Sequence, residues 1–127
     1  MANLVTTEAN AILNASSGQA AYTAVTTPVK VALVTATGTA TAPGTEVAGG
    51  SYARQTITFA ASAGGSISSN VALTYPNMPA CTVTGVDEWD SAGTPVRRWF
   101  GALSASKTVN AGDTFSIASG SYTKTLS

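Results

Sequence analysis

Apolar side chains recur at every second position in this chain, in short runs that stop at Gly or Pro. Val29, Val31 and Leu33 alternate with Lys30 and Ala32 after Pro28; Ile57 and Phe59 alternate with Thr56 and Thr58; Ile67, Val71, Leu73 and Tyr75 stay in phase. A period of two places one set of side chains on one face of a pleated strand. Turn chemistry separates the runs at Ala63-Gly64-Gly65, at residues 76–79, at Ser91-Ala92-Gly93-Thr94-Pro95, at Asn110-Ala111-Gly112-Asp113 and at Ser119-Gly120. The pattern predicts strands over residues 29–33, 52–61, 66–75, 80–90 and 96–100. Leu103, Val109, Phe115 and Ile117 mark further strands, and the last covers residues 122–126. The expected fold is mainly β, an antiparallel β-sandwich of jelly-roll-like or Ig-like type or a partly closed barrel.

One segment breaks the pattern. Residues 6–15 place Ala9, Ile12 and Leu13 at helical spacing. Thr6 or Thr7 is the expected N-cap, Glu8 suits the positive end of the helix dipole, and Gly18 fits a left-handed stop. Leu4 or Val5 is placed to staple the start. So short a helix borrows its stability from packing. The strand at Val29 is expected to be half-buried. Residues 35–50 form a long Thr/Ala/Gly/Pro stretch without periodicity, read as a loop and a candidate contact arm. Gly49-Gly50 reads as a hinge leading into the next strand, where positive φ is tolerated.

The 127 residues fit a single domain, residues 1–127. Only 9% of them are charged, six basic and six acidic, and His is absent. A soluble domain ordinarily carries about 25%. Near-zero net charge leaves little repulsion between copies and favours association. The absence of a basic stripe argues against a nucleic-acid partner. No apolar run reaches the roughly 18 residues of a membrane helix, and the first residues lack a secretion signal. No membrane partner and synthesis in the cytoplasm are therefore expected. The lone Cys81 has neither a second Cys nor a His to work with, and reads as a small buried or semi-buried residue.

The acids Asp87, Glu88 and Asp90 are the one cluster with metal or glycosidase potential. Alternation puts only Glu88 and Asp90 on the same strand face, and no Asp-rich loop accompanies them. They read as solvated acids beside Arg97 and Arg98 on the neighbouring strand. Trp89 and Trp99 read as core or rim residues. No metal, no cofactor and no enzymatic activity are expected. Interface energetics favour Arg and Trp, so Arg54, Arg97, Arg98 and Trp99 are the candidate anchors for a protein partner. Glu46 is the expected ion-pair partner of Arg54. Residues 35–50, the residues before the helix and the hairpin tip at 91–95 are the candidate contact elements.

The stretch Gly44-Thr45-Glu46-Val47-Ala48-Gly49-Gly50-Ser51-Tyr52-Ala53-Arg54-Gln55 resembles the E-V-x-G-G-x-Y-A-R signature of small tailed-bacteriophage virion proteins. Val83-Thr84-Gly85-Val86, Trp89-Asp90-Ser91-Ala92-Gly93, Phe100-Gly101-Ala102-Leu103 and Lys107 to Asp113 extend the similarity over most of the chain. Asp87-Glu88 departs from it, standing where relatives usually have Gly-Ile. Members are often described as tail fibre proteins, and some look like capsid decoration (cement) proteins of phages of actinobacteria. The resemblance implies a virion structural protein, and the first reading places it on the capsid surface. It would bridge subunits of the phage major capsid protein as a homo-oligomer, a trimer being one allowed order. A minor tail or tail fibre component and a carbohydrate-binding host-adhesion module are the alternatives.

Overall fold

The computed structural model describes residues 2–126. In chain order the elements are β1 (Asn3–Leu4), α1 (Thr6–Ser16), β2 (Val29–Ala36), β3 (Thr45–Glu46), β4 (Gln55–Ile57), β5 (Ser66–Ser68), β6 (Leu73–Tyr75), β7 (Cys81–Trp89), β8 (Arg97–Val109), β9 (Phe115–Ile117) and β10 (Thr123–Thr125). All strand ladders are antiparallel, as expected for a β-sandwich. The main sheet runs β1-β8-β7-β2-β3, and β4 also pairs with β2. The opposing layer is built from the pairs β10-β5 and β6-β9.

The expected strand over residues 66–75 is divided. Its two pieces, β5 and β6, pair with β10 and β9 in nearly one register: Ser68 faces Thr123 and Leu73 faces Ile117. Between them Ser69 turns to the opposite chain, donating its N–H to Tyr122 O and accepting from Gly120 N. The ladder is therefore one interrupted hairpin, and the interruption depends on bonds some fifty residues away in sequence. Ala2 N bonds to Thr123 O, which ties the second layer back to the β1 edge.

β2 differs from the half-buried strand that its alternation predicts. Val31, Ala32, Leu33 and Val34 are all fully buried, because β2 lies in the middle of the main sheet with covering on both faces. Its outer edge is shared by β4, opposite Val29–Val31, and β3, opposite Val34 and Ala36. In the gap between them two tyrosines stand in for a strand. Tyr52 Oη accepts from Leu33 N at 2.9 Å, and Tyr75 Oη donates to Val31 O at 2.9 Å. Buried backbone groups need such partners. The two rings stack, with centroids 6.1 Å apart. Leu33, Leu73, Met78, Val83, Val86, Phe115 and Tyr122 fill the space between the layers. Burial of each large apolar side chain is worth about 1.5–3 kcal/mol.

The helix is where sequence placed it, with two corrections. Its N-cap is Val5, and no side chain caps it. Strand β8 and the 37–44 connection do that work instead: Val5 N bonds to Arg98 O and Thr6 N to Ala40 O. Leu13, expected on the packed face, is 62% exposed, and Glu8 is the one buried side chain of α1. Gly18 does take positive φ, as do Gly49 and Gly50. Residues 35–50 are likewise more ordered than a free arm. β2 continues to Ala36, β3 returns along it, and residues 37–44 are a short connection fastened at Thr39, Ala40 and Gly44.

Candidate functional site

Six of the twelve charged residues, Glu8, Asp87, Glu88, Asp90, Arg97 and Lys124, are buried. β7 and β8 form a hairpin in which Asp87 faces Phe100, Glu88 faces Trp99 and Trp89 faces Arg97. Alternation along β7 sends Asp87 to one face of the sheet and Glu88 to the other. The expectation of solvated acids is overturned: Asp87, Glu88 and Asp90 are only 2–3% exposed. Each is buried because a cation comes to meet it, the condition under which charges tolerate burial.

On one face, Arg97 Nη1 donates to Asp87 Oδ1 at 3.1 Å. Its Nη2 donates to Thr39 O, and Gly44 N donates to Asp87 Oδ2 at 2.9 Å. These bonds fasten the 37–44 connection to the sheet. Towards the helix, Arg98 bridges two acids. Nη1 reaches Glu8 Oε2 at 2.7 Å and Nη2 reaches Asp90 Oδ2 at 2.8 Å. Tyr22 Oη donates to Glu8 Oε1. Burial first, and then this hydrogen bond, push the Tyr22 phenol up to about 12. Burial works to raise the Asp90 carboxyl, but Val96 N, Arg98 and Ala92 N together hold it below the usual carboxylate range.

The third centre lies in the core. Lys124 Nζ donates to Glu88 Oε2 at 2.9 Å. It sits over the Phe59 ring at 4.1 Å and the Trp99 ring at 4.9 Å. Glu88 Oε1 and the adjoining Tyr122 hydroxyl are both buried, and neither closes a full hydrogen bond. Desolvation pushes the Glu88 carboxyl up against the opposing pull of Lys124, and pushes the Tyr122 phenol far above its ordinary value.

Of the residues chosen from sequence, Glu46 and Arg54 pair as expected. Arg54 Nη2 lies 2.9 Å from Glu46 Oε1, and both side chains stay about one-third exposed. The Arg54 guanidinium also stacks 4.5 Å over Trp89. Arg97 and Trp99 are turned inward, and Arg98 is committed to its two acids. Sequence reasoning misses Glu8, Tyr22 and Lys124 as members of these centres, although their phase carries a signal. Lys124 alternates with Tyr122 and Leu126, and Glu8 lies four residues before Ile12.

Among the described residues, Lys30, Lys107 and Asp113 are the charges outside these pairs. The exterior is otherwise Thr, Ser, Ala and Gly with a few apolar side chains, Leu13, Tyr22, Val96 and Leu126. A cleft of about 620 Å³ between α1 and the end of β10 is lined by Ile12, Tyr22, Trp99 and Leu126, with Glu8 and Lys124 also reaching it. Among the described residues no helix is long and apolar enough to cross a membrane. No group of three acid, His or Cys side chains among the described residues is placed to hold a metal ion.

A comparison with protein families matches residues 3–125 to the model described as podophage GP4 fiber I protein gp80. No curated protein matches the chain.

Proposed function

Because the chain belongs to the podophage GP4 fiber I protein gp80 family, it is a structural protein of the phage virion, and we propose that it serves there as a fibre subunit without catalysis of its own. The observation that carries this reading is the family match over residues 3–125, which takes in every element of the sandwich. The charge arrangement supports it. The acids and bases that could serve catalysis are here neutralised against each other in ion pairs. What faces outward is a hydroxyl-rich, nearly uncharged surface suited to contact with other subunits. Repeated copies docked side by side gain from multivalency, each weak contact reinforcing the next.

A second reading is decoration of the capsid by bridging major capsid protein subunits. It rests on the resemblance of residues 44–55 to small tailed-phage virion proteins, some of which look like decoration proteins. Gold labelling of intact particles, with copy counting by quantitative mass spectrometry, separates the two. Label confined to fibres, at a few to several dozen copies, is the expected result. Label spread over the shell at hundreds of copies replaces the fibre reading with decoration. Absence of the polypeptide from purified particles overturns both.

A further inference from the structure

We propose that Lys124 and Glu88 condense to an isopeptide bond that ties β10 to β7. The proposal rests on the interior of this chain and is independent of where on the virion the protein sits.

The reacting groups are already in place. Lys124 Nζ is 2.9 Å from Glu88 Oε2, so the carboxyl carbon lies about one C–O bond beyond. The two side chains are 10% and 3% exposed, which keeps bulk water from competing. The Phe59 and Trp99 rings pack against the amine and fix its approach. A plain ion pair accounts for Oε2, whereas Oε1 meets the Tyr122 hydroxyl in an approach that does not close to a full hydrogen bond. Buried polar atoms in that condition are rare. The Tyr122 hydroxyl is the donor beside Oε1, the oxygen that becomes an oxyanion when the carboxyl carbon is attacked.

The step balances without any co-reactant. Within the Lys124–Glu88 hydrogen bond a proton passes from Nζ to Oε2, giving a neutral amine and a neutral acid. Burial draws the Glu88 carboxyl towards its protonated form, which eases this transfer. The Nζ lone pair then attacks Cδ, and the charge on Oε1 is met by the Tyr122 hydroxyl. Oε2 takes a second proton from Nζ and departs as water. The products are one amide and one water, and nothing is oxidised or reduced. Holding both groups in reaction geometry supplies the advantage of an intramolecular reaction, worth effective molarities of about 10⁵–10⁸ M in well-oriented cases.

Mass spectrometry of the full, folded chain tests this. The wild type is expected to weigh less than its sequence by one water, after allowance for removal of Met1. Its tryptic digest should contain a branched species joining residues 55–97 to residues 108–127. Glu88→Gln should release ammonia instead and arrive at the same final mass and the same branch. Lys124→Met should keep its full sequence mass. A folded wild type at full sequence mass, with residues 55–97 and the Lys124 peptides recovered separately, overturns the proposal. The wild type alone is decisive, so the test stands even where the Lys124 variant fails to fold.

Discussion

Arg98 holds Glu8 at 2.7 Å, and this ion pair is what fastens helix α1 to the sheet. An 11-residue helix whose one buried side chain is a carboxylate is attached by charge, with the apolar Leu13 left outside. Glu8→Ala should therefore release the helix and leave Arg98 half-compensated by Asp90. Removing one partner of a buried pair costs about 3 kcal/mol or more. Urea denaturation should show that loss, while Leu13→Ser should shift stability by less than about 0.5 kcal/mol. Equal effects of the two substitutions would contradict the charged attachment.

All four tyrosines, Tyr22, Tyr52, Tyr75 and Tyr122, are pushed upward, chiefly by burial. At pH 10, where a free phenol is half-ionised, the folded protein should show almost no phenolate absorbance at 295 nm. The sign for stability follows from proton counting. Between the unfolded value near 10 and the raised folded values, the native state binds more protons than the unfolded chain. The tyrosine contribution is therefore complete below about pH 10 and is lost as pH rises through and beyond about 12, the value for Tyr22. Thermal midpoints should fall between pH 9 and pH 11. A native titration centred on pH 10 would rule this out.

Gly85 lies in the middle of β7, where an added Cβ would meet Gly101 O at 2.4 Å and Thr37 Oγ1 at 2.8 Å. The first obstacle is backbone and can yield only by separating β7 from β8. Gly85→Ala should cost about 1–3 kcal/mol, as overpacking typically does. Gly93, at the tip of the same hairpin, has open space around it, and Gly93→Ala should be nearly neutral. Paired chemical denaturation curves measure the difference.

The connection over residues 37–44 should exchange slowly at Gly44, whose N–H is held by Asp87 Oδ2. Arg97 orients that carboxylate and also binds Thr39 O. Arg97→Ala should accelerate exchange at Gly44 while leaving the amides of the β6-β9 pair protected. Uniform acceleration across the chain would mean global destabilisation rather than a local latch.

Much of this architecture is legible in sequence where local chemistry dictates it. The β7-β8 hairpin follows from alternation on either side of Ser91-Ala92-Gly93-Thr94-Pro95, and α1 follows from the 3.6-residue spacing around Ile12. The separation of Asp87 from Glu88 onto opposite faces is equally readable. Their burial is not, because it depends on Arg97 turning inward and on Lys124 arriving from a strand 36 residues away from Glu88. The division of β5 from β6 is hidden for the same reason. Ile67, Val71 and Leu73 keep one phase, and the break is made by Ser69 bonding to residues 120 and 122. A free arm over residues 35–50 is the natural reading of a segment whose fastenings are all non-local.

The mutual neutralisation of the buried acids and bases has a consequence outside the molecule. A particle component that casts almost no long-range field is hardly touched by the ionic atmosphere around it. Its attachment should hold as well in fresh water as in brine, so such a subunit can stay seated while the salinity of the surroundings changes many-fold.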